Sequence, residues 1–566
     1  MTAYIRPPEV DEVAIADAWF NTLGKSYKGQ LPAGDPLLAG NRAGWLVLTR
    51  NRELAVVVDE AFPFTRPRVY LRGDHDPMPH VEANGRLCLD NPEIPSDPQS
   101  AVREALRHAR NLLNDIDKGV EDGDFAEDFT LYWHQSVGPG RRARLLLSDI
   151  PRSTIISTCA TPAAVYGFAS GDSARQWWSH RFNDHLRKTR HGAVILLDQL
   201  PHPDQYPSTG GELWDLIAAR SRDGIEVLVG LLKQTPKSLL VALAGVSPNG
   251  RRHAVGILME RPVDQQGRTV NRRVIEHGYA RGGTPPRVLC GRLLLKRLVT
   301  ENLDAASTRL PYLERDRLAA ARVAIIGCGA LGSGVTRLLA KSGVGHFILV
   351  DPETLGWENI RRHQLGAAFV GHPKAAILAK TLAQENPDIG STKPYNTTVE
   401  HLLKQHPDAL DNVDLVVACT ATWSANSMLD DLSMRSRLPV LYAWMEAHAV
   451  AAHAVLILPG HSYRVGYDAV GNPRMTASTS RKPIPAECGA NASPFGAIEL
   501  AQAEVLVGRL ALDQLRGKVA GTIWKTWLTD QAALGDAEGS WTEEWVRARG
   551  VPNPNGQILV APWWDE

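Results

Sequence analysis

Apolar and polar positions follow three regimes along the chain. From Glu12 to Leu23 apolar residues recur at helical spacing, and GWLVLTRN and ELAVVVDEAF then read as strands, followed by the extended PFTRPRVYLRG. Helical patterns return in AVREALRHARNLLNDI and FAEDFTLYWHQS, so residues 1–150 are expected to form a compact α+β domain. Between 151 and 300 short apolar runs (GAVILLDQL, GIEVLVGLL, SLLVALAGV, HAVGILME) are separated by turns such as HPDQYPSTGG. They are expected to be strands of a second α/β layer with a linking or docking role. The cluster ARQWWSHRFNDHLRKTRHG reads as an amphipathic helix with Trp177 and Trp178 turned inward. From 301 to 566 the pattern regularises around RVAIIGCGALGSGVTRLLAKSGVGHFILVD, Arg322 to Asp351: an apolar run, a glycine turn, a helical stretch and a second apolar run ending on an acid. That is a β-α-β unit, with further strands expected in DLVVACTATW and LPVLYAWMEAHAVAAHAVLILPG and a helix from about Gly496. The expected fold class is multidomain α/β, with a Rossmann-like third domain.

Composition narrows the classes. In 566 residues, 62 basic and 62 acidic side chains cancel, which removes any global drive toward nucleic acid or an anionic membrane. No apolar run reaches the ~18 residues of a membrane span, and MTAYIRPPEVDEVAIADAWF carries acids where a secretory signal has its apolar core. A cytoplasmic protein is expected. The 6 cysteines are scattered without a C-x-x-C pair, so a special cysteine here is a nucleophile sooner than a metal ligand.

Three places carry candidate chemistry. Gly327, Gly329 and Gly332 stand in G-x-G-x-x-G spacing, where absent side chains let backbone amides approach a phosphate at a helix N-terminus. Asp351 falls where an acid usually meets a ribose hydroxyl. Nicotinamide, flavin and adenylating enzymes all use this turn, so it selects a nucleotide and no reaction. The loop PMPHVEANGRLCLDNPEIP, Pro77 to Pro95, is rich in turn residues and presents Cys88. His80-Val81-Glu82 matches the H-x-E of zinc deaminases, but Leu89, Asp90 and Asn91 follow Cys88 where a second cysteine is needed. A second polar loop, HSYRVGYDAVGNPRMTASTSRKPIPAECGANASPFGAIEL, carries Cys488 with Arg481 and Lys482 nearby. Cations and a following helix N-terminus both favour thiolate.

The Cys88 loop resembles ubiquitin-conjugating enzymes: Asn84-Gly85 precede Cys88-Leu89-Asp90 at the family's spacing, and Phe62-Pro63-Phe64 with Pro67 and Val69 resembles its aromatic-proline strand. The family's H-P-N reads Met78-Pro79-His80 here. The resemblance implies a thioester on Cys88, with His80 either donating to an oxyanion or acting as a base. Downstream of the glycine turn, Asn359, Arg362, His363 and Lys374 resemble the N-L-x-R and G-x-x-K-A signatures of the ubiquitin-activating and ThiF/MoeB superfamily. That resemblance implies ATP and Mg²⁺, with Arg362 and Lys374 on the phosphates, Asn359 positioning, Asp351 on the ribose and Cys488 as the catalytic thiol. Where the family offers an aspartate to Mg²⁺ the chain reads Cys419-Thr420-Ala421-Thr422, so the metal ligand is left unassigned, with Asp430, Asp431, a water-mediated contact or the nucleotide phosphates themselves as the alternatives. The zinc-binding C-x-x-C pairs of sulfur-carrier activators are missing.

Together these resemblances cover roughly residues 12–145 and 305–515. They are similar to the fused conjugating and activating enzymes of bacterial CBASS anti-phage operons, which attach the C-terminus of a cGAS-like nucleotidyltransferase to a target. The implied reaction is a relay: adenylation of a partner's C-terminus, thioester formation on Cys488, transfer to Cys88, and delivery to an amine such as lysine. A homodimer through residues 300–566 is implied as well, and the tryptophan-rich tail, Trp524 to Glu566, is expected to close the domain or the dimer. A sulfur-carrier adenylyltransferase, a dehydrogenase and a non-catalytic scaffold for a ubiquitin-like partner are the alternatives.

Overall fold

A computed structural model describes the chain except residues 1–10, 50–51, 83, 90–96, 121–122, 148–149, 183, 187, 233–237, 261–285, 304–311, 387–388, 421, 468–473, 482–483, 486–490, 493–494 and 564–566. The chain forms two compact units, one of residues 1–171 and 188–302, the other of 172–187 and 303–566.

The first unit opens with an antiparallel sheet of β1 (Tyr27–Gln30), β2 (Ala43–Thr49), β3 (Arg52–Val58) and β4 (Arg68–Leu71), in that order. Helices Glu12–Asn21 and Pro98–Asp117 cover it. The second starts at a clear stop-start signal: Asp97 accepts the Ser100 amide and Pro98 takes the first helical position. Its Val102, Leu106, Ala109 and Leu113 are buried at helical spacing against Trp45, Val56 and Val69. The apolar runs expected to form a layered sheet instead close on themselves. β5 (Arg142–Leu146), β6 (Thr154–Ala160), β7 (Ala164–Phe168), β8 (Arg190–Leu196), β9 (Ser238–Val246), β10 (Arg252–Glu260) and β11 (Leu294–Asn302) make a barrel in the order β10-β11-β5-β7-β6-β8-β9. GIEVLVGLL is a helix, Gly224–Leu232, and not a strand. A short apolar run has no period to read; Gly224, Leu228, Leu231 and Leu232 are its buried positions, and Ser221 Oγ accepts the Gly224 amide to start the turn. The barrel core also takes in Phe125, Phe129 and Trp133 from the helical stretch that ends the conjugating-like region.

The second unit is built on one sheet in the order β14-β13-β12-β15-β16-β17-β21-β23. β12 (Arg322–Ile326), β13 (His346–Val350), β14 (Ser391–Tyr395), β15 (Leu415–Ala418) and β16 (Val440–Met445) are parallel, and β17 (Ala451–Ile457), β21 (Ile523–Leu528) and β23 (Gln557–Ala561) continue it antiparallel. The central parallel strands β12 and β15 are near-continuous apolar runs because both faces are covered, whereas the edge strand β14, STKPY, is polar and largely exposed. Strand order reverses at β12, with β13 and β14 added on one side and β15 and β16 on the other, and the crevice at that point, outside the carboxyl ends of β12 and β15, is where doubly wound sheets bind ligands. Trp524, Trp545 and Trp563 of the tail are buried beside Tyr442 and Tyr463, so this part of the tail closes the domain. Helix Gly171–Phe182 carries the tryptophan cluster: Trp177 is buried, Trp178 half-buried, and Gln176 donates to Gly390 O at 2.5 Å. Small pairs β18 (Ala477–Thr479) with β22 (Gly539–Trp541), and β19 (Ile484–Pro485) with β20 (Asn491–Ala492), flank the second thiol loop.

Candidate functional site

Cys88 lies on a loop laced to β4. Leu71 N donates to Gly85 O at 2.7 Å and Leu87 N to Val69 O at 2.8 Å, so the chain after Asn84-Gly85 runs alongside the strand. Gly85 is required there: its φ is +83°, and a Cβ would lie 2.2 Å from Leu71 O. Within the loop Val81 bridges Leu87, Glu82 N donates to Arg86 O, and Cys88 N donates to His80 O at 2.8 Å, setting His80 and Cys88 opposite each other. Cys88 is exposed. Partial burial and the nearby carboxylates of Glu82 and Asp128 push its thiol pKa up, against Arg86, so the resting group is a thiol.

His80 is fixed from a distance in sequence. Its ring Nε2 donates to Asp124 Oδ2 at 2.6 Å, and its amide donates to Tyr132 Oη at 2.6 Å. Burial pushes the Tyr132 phenol up to about 12, so that oxygen is a neutral acceptor. Asp124, immediately before FAEDFTLYWHQS, and Asp128 and Tyr132 within it recur every fourth residue, a spacing that would have marked one polar face beside Phe125, Phe129 and Trp133.

At the second site the three glycines have three different reasons. Gly327 has φ +92° and a Cβ there would meet Cys419 C at 2.9 Å; a Cβ on Gly332 would lie 1.8 Å from Gly327 O. Gly329 has ordinary φ, −73°, and nothing lies within 4 Å of its Cβ position. It stands at the N-cap of helix Ala330–Lys341, where the first amides have no partner within the helix. An open cradle at that point fits a phosphate group. Asp351 is buried, with Oδ2 accepting from Cys328 N and Oδ1 from Glu353 N, each at 2.7 Å. Burial raises its pKa against those amide bonds and Lys374. The acid therefore already braces the glycine turn, and lone pairs on the same oxygens remain to accept from a ligand hydroxyl. His363 braces it from the other side: Leu365 N donates to Nδ1, leaving Nε2–H to donate to Cys328 O at 2.7 Å. Burial depresses its pKa, so it is a neutral support.

Lys374 is buried, its ammonium on Glu353 Oε2 at 2.5 Å. Asn359 Oδ1 caps Gly356 N, and the Arg362 guanidinium lies 4.7 Å from the centre of the Phe495 ring. Gly327, Asp351, His363 and Lys374 are thus brought into one cluster, with Arg362 over the downstream end of the Cys488 loop. Cys488 and Lys482 lie outside the described residues. The start of their loop is tied down: Glu446, buried and held ionised, accepts from Thr476 N, Ala477 N and His453 Nε2 at 2.7, 3.1 and 3.0 Å. Arg481 donates to Asp536 O. Asp430 accepts from Tyr463 N and Ser462 Oγ, and Asp431 pairs with Arg464, so both acids are engaged in the turn at 462–464. Among the described residues no cluster of three or more His, Cys, Asp or Glu could hold a metal ion. No described helix is long and apolar enough to cross a membrane. Cys159, Cys290 and Cys328 are buried and Cys419 partly so.

Comparison with known proteins matches both regions. Residues 39–138 fit the prokaryotic E2 family B and residues 302–481 the ThiF family. Ubiquitin-like modifier-activating enzyme 5 is 27% identical over 192 residues in Arabidopsis thaliana (30% of this chain, 44% of the relative) and 28% identical over 199 residues in Rattus norvegicus (31% and 47%). The adenylyltransferase and sulfurtransferase UBA4 of Yarrowia lipolytica is 29% identical over 122 residues (22% and 30%). The chain thus spans about half the length of these relatives or less. Among solved structures, E. coli MccB with ATP aligns at TM-score 0.31 and 18% identity (41% of this chain, 65% of that one), and MccB with N-formylated MccA at 0.31 and 19% (41% and 66%). One chain therefore carries, in order, an E2-like region that matches the prokaryotic E2 family B and an E1-like domain that matches the ThiF family.

Proposed function

We propose that the chain activates the C-terminus of a partner protein with ATP and passes it through two thiols to an amine. The observation that carries this is the pairing, in one chain, of an open glycine cradle braced by Asp351, His363 and Lys374 with an exposed Cys88 set opposite His80. In this reading the amides at Gly329 and the first helical turn hold the phosphates of ATP with Mg²⁺, and Arg362 and Lys374 stabilise charge as a carboxylate displaces pyrophosphate. Asn359 positions the phosphates and Asp351 accepts from the ribose. Cys488 takes the acyl group from the adenylate, Cys88 takes it from Cys488, and His80 serves the delivery to an amine, most simply a lysine. Names of the relatives support the same reading, since they are activating enzymes and adenylyltransferases. We place the protein in the cytoplasm, as a homodimer, with a cGAS-like nucleotidyltransferase as partner in CBASS anti-phage defence.

The test is non-reducing electrophoresis of the full chain after incubation with ATP, Mg²⁺ and extract of its host cells. A thiol-sensitive adduct is expected, lost in Cys488→Ala; Cys88→Ala retains it and loses the final conjugate. No adduct with a verified partner overturns the reading. A non-catalytic scaffold is favoured by one observation, the Cys419-to-Thr422 stretch where the superfamily has an acid, and it predicts no pyrophosphate release.

A further inference from the structure

We propose that the conjugating-like region binds a small oxyanion, phosphate being the physiological case, in a pocket between the end of the β2–β3 hairpin and the second half of helix Pro98–Asp117. None of its residues belongs to the sites described above, and the inference stands apart from the function proposed there.

Two periodicities assemble the pocket. Thr49 and Arg52 face each other across the last pair of the β2–β3 ladder. Arg110, Leu113, Asn114 and Asp117 fall at i, i+3, i+4 and i+7, one face of the helix. These six residues line a pocket of about 240 Å³. Leu113 belongs to the buried core, and the other five are polar. The volume lies below the ~300–1,000 Å³ of pockets that enclose drug-sized ligands, so it suits a single acid group and not a nucleotide.

Charge selects the ligand. Arg52 Nη2 donates to Asp117 Oδ1 at 2.6 Å, while its Nη1 is buried without a hydrogen-bond partner. Arg110 is less provided for: its Nε is buried and unpartnered, and among the described residues no hydrogen bond or ion pair reaches its guanidinium. A guanidinium does not shed its proton, so two of them against one carboxylate leave this lining with net positive charge and donors to spare. Cations near a helix C-terminus are favoured without any ligand, and Arg52 on Asp117 is accounted for in that way. Arg110 is not, because it donates to none of the last carbonyls. Water would satisfy a lone donor and leave the charge. An oxyanion answers both, since it accepts two N–H groups of one guanidinium side by side. The Thr49 hydroxyl and the Asn114 amide add neutral donors in the same lining. Free phosphate and a phosphate carried on another chain's serine share this chemistry.

The test is hydrogen exchange of the full chain, read by mass spectrometry at constant ionic strength in sodium chloride or sodium phosphate. Phosphate at about ten times its Kd should slow exchange in β3 and in residues 106–117 about tenfold, beyond any general salting effect read from β12 and β13 of the second unit. Arg110→Gln should lose this local slowing and Arg110→Lys most of it, since the ammonium keeps the charge without the fork. In chloride alone Arg110→Gln should be at least as protected as the parent, because an unpaired buried donor has been removed. N-acetyl-phosphoserine N-methylamide separates the sources: slowing equal to or greater than that by inorganic phosphate assigns the pocket to a chain-borne group, and slowing by inorganic phosphate alone to the free ion. Uniform slowing across both units, local slowing that survives in Arg110→Gln, or an Arg110→Gln chain less protected in chloride than the parent overturns the proposal.

Discussion

Gly332→Ala and Gly329→Ala should separate the two jobs of the glycine turn. At Gly332 the added methyl falls 1.8 Å from Gly327 O, about 1.2 Å short of the 3.0 Å that real Cβ atoms keep, and the obstacle is backbone. Helix Ala330–Lys341 has to retreat from β12. Overpacking of this kind costs about 1–3 kcal/mol. The retreat also loosens Cys328 N from the Asp351 carboxylate and His363 from Cys328 O, the first being a bond to a charged group worth about 1.5–3 kcal/mol. A loss of about 3–5 kcal/mol is expected, read as a lower urea midpoint for hydrogen-exchange protection in Arg322–Ile326, with ATP–pyrophosphate exchange lost alongside. Gly329→Ala meets nothing within 4 Å and keeps φ −73°. It should leave that midpoint within about 0.5 kcal/mol and still abolish exchange, because the methyl occupies the open space that the proposed function assigns to phosphate. Equal stability losses in the two variants, or full exchange activity in Gly329→Ala, would refute the reasoning.

Phe495→Ala removes the ring under Arg362; losing a cation–π contact of about 0.5–2 kcal/mol should raise the KM for ATP in exchange roughly two- to thirtyfold, with Phe495→Tyr near the parent. Burial lowers the His253 pKa from 6.5 to about 4. The unfolded chain then binds the extra proton first, and the first unit should lose about 3 kcal/mol between pH 6.5 and 4, with no such slope above pH 6.5; denaturant melts of His253→Gln should lack that component. Glu446 has a depressed pKa, so its contribution is present above about pH 4.5 and fades as pH falls through its folded value. Glu446→Ala strips two amides and His453 of their acceptor and should cost about 3–5 kcal/mol by thermal or denaturant melts of the second unit.

The β-α-β unit was legible because its apolar runs, glycines and terminal acid are all local, and the same holds for Asn84-Gly85, a turn signal that the close approach to Leu71 explains. Barrel closure was not, since pairing β5 with β11 joins residues about 160 apart and no local pattern encodes that register. GIEVLVGLL misled because an uninterrupted apolar run suits a buried strand and a buried helix equally. The braces of the sites escaped for the first reason: Asp124 is 44 positions from His80, Glu353 is 21 from Lys374, and Phe495 reaches Arg362 across the whole of β14 to β20. Each is an ordinary residue until the fold places it.

The helix Phe129–Gln135 serves two masters, and this changes what counts as a domain here. Tyr132 reaches the Cys88 loop, while Phe129 and Trp133 are fully buried in the core they share with the barrel. A fragment ending at residue 138, where the E2-like match stops, would bare roughly 300–500 Å² of aromatic surface and release the very segment that aims His80. The barrel is thus the back wall of the conjugating-like fold. The smallest piece that can be cut free with its chemistry intact should run on to Asn302, and the two parts have to be inherited, and to vary, as one.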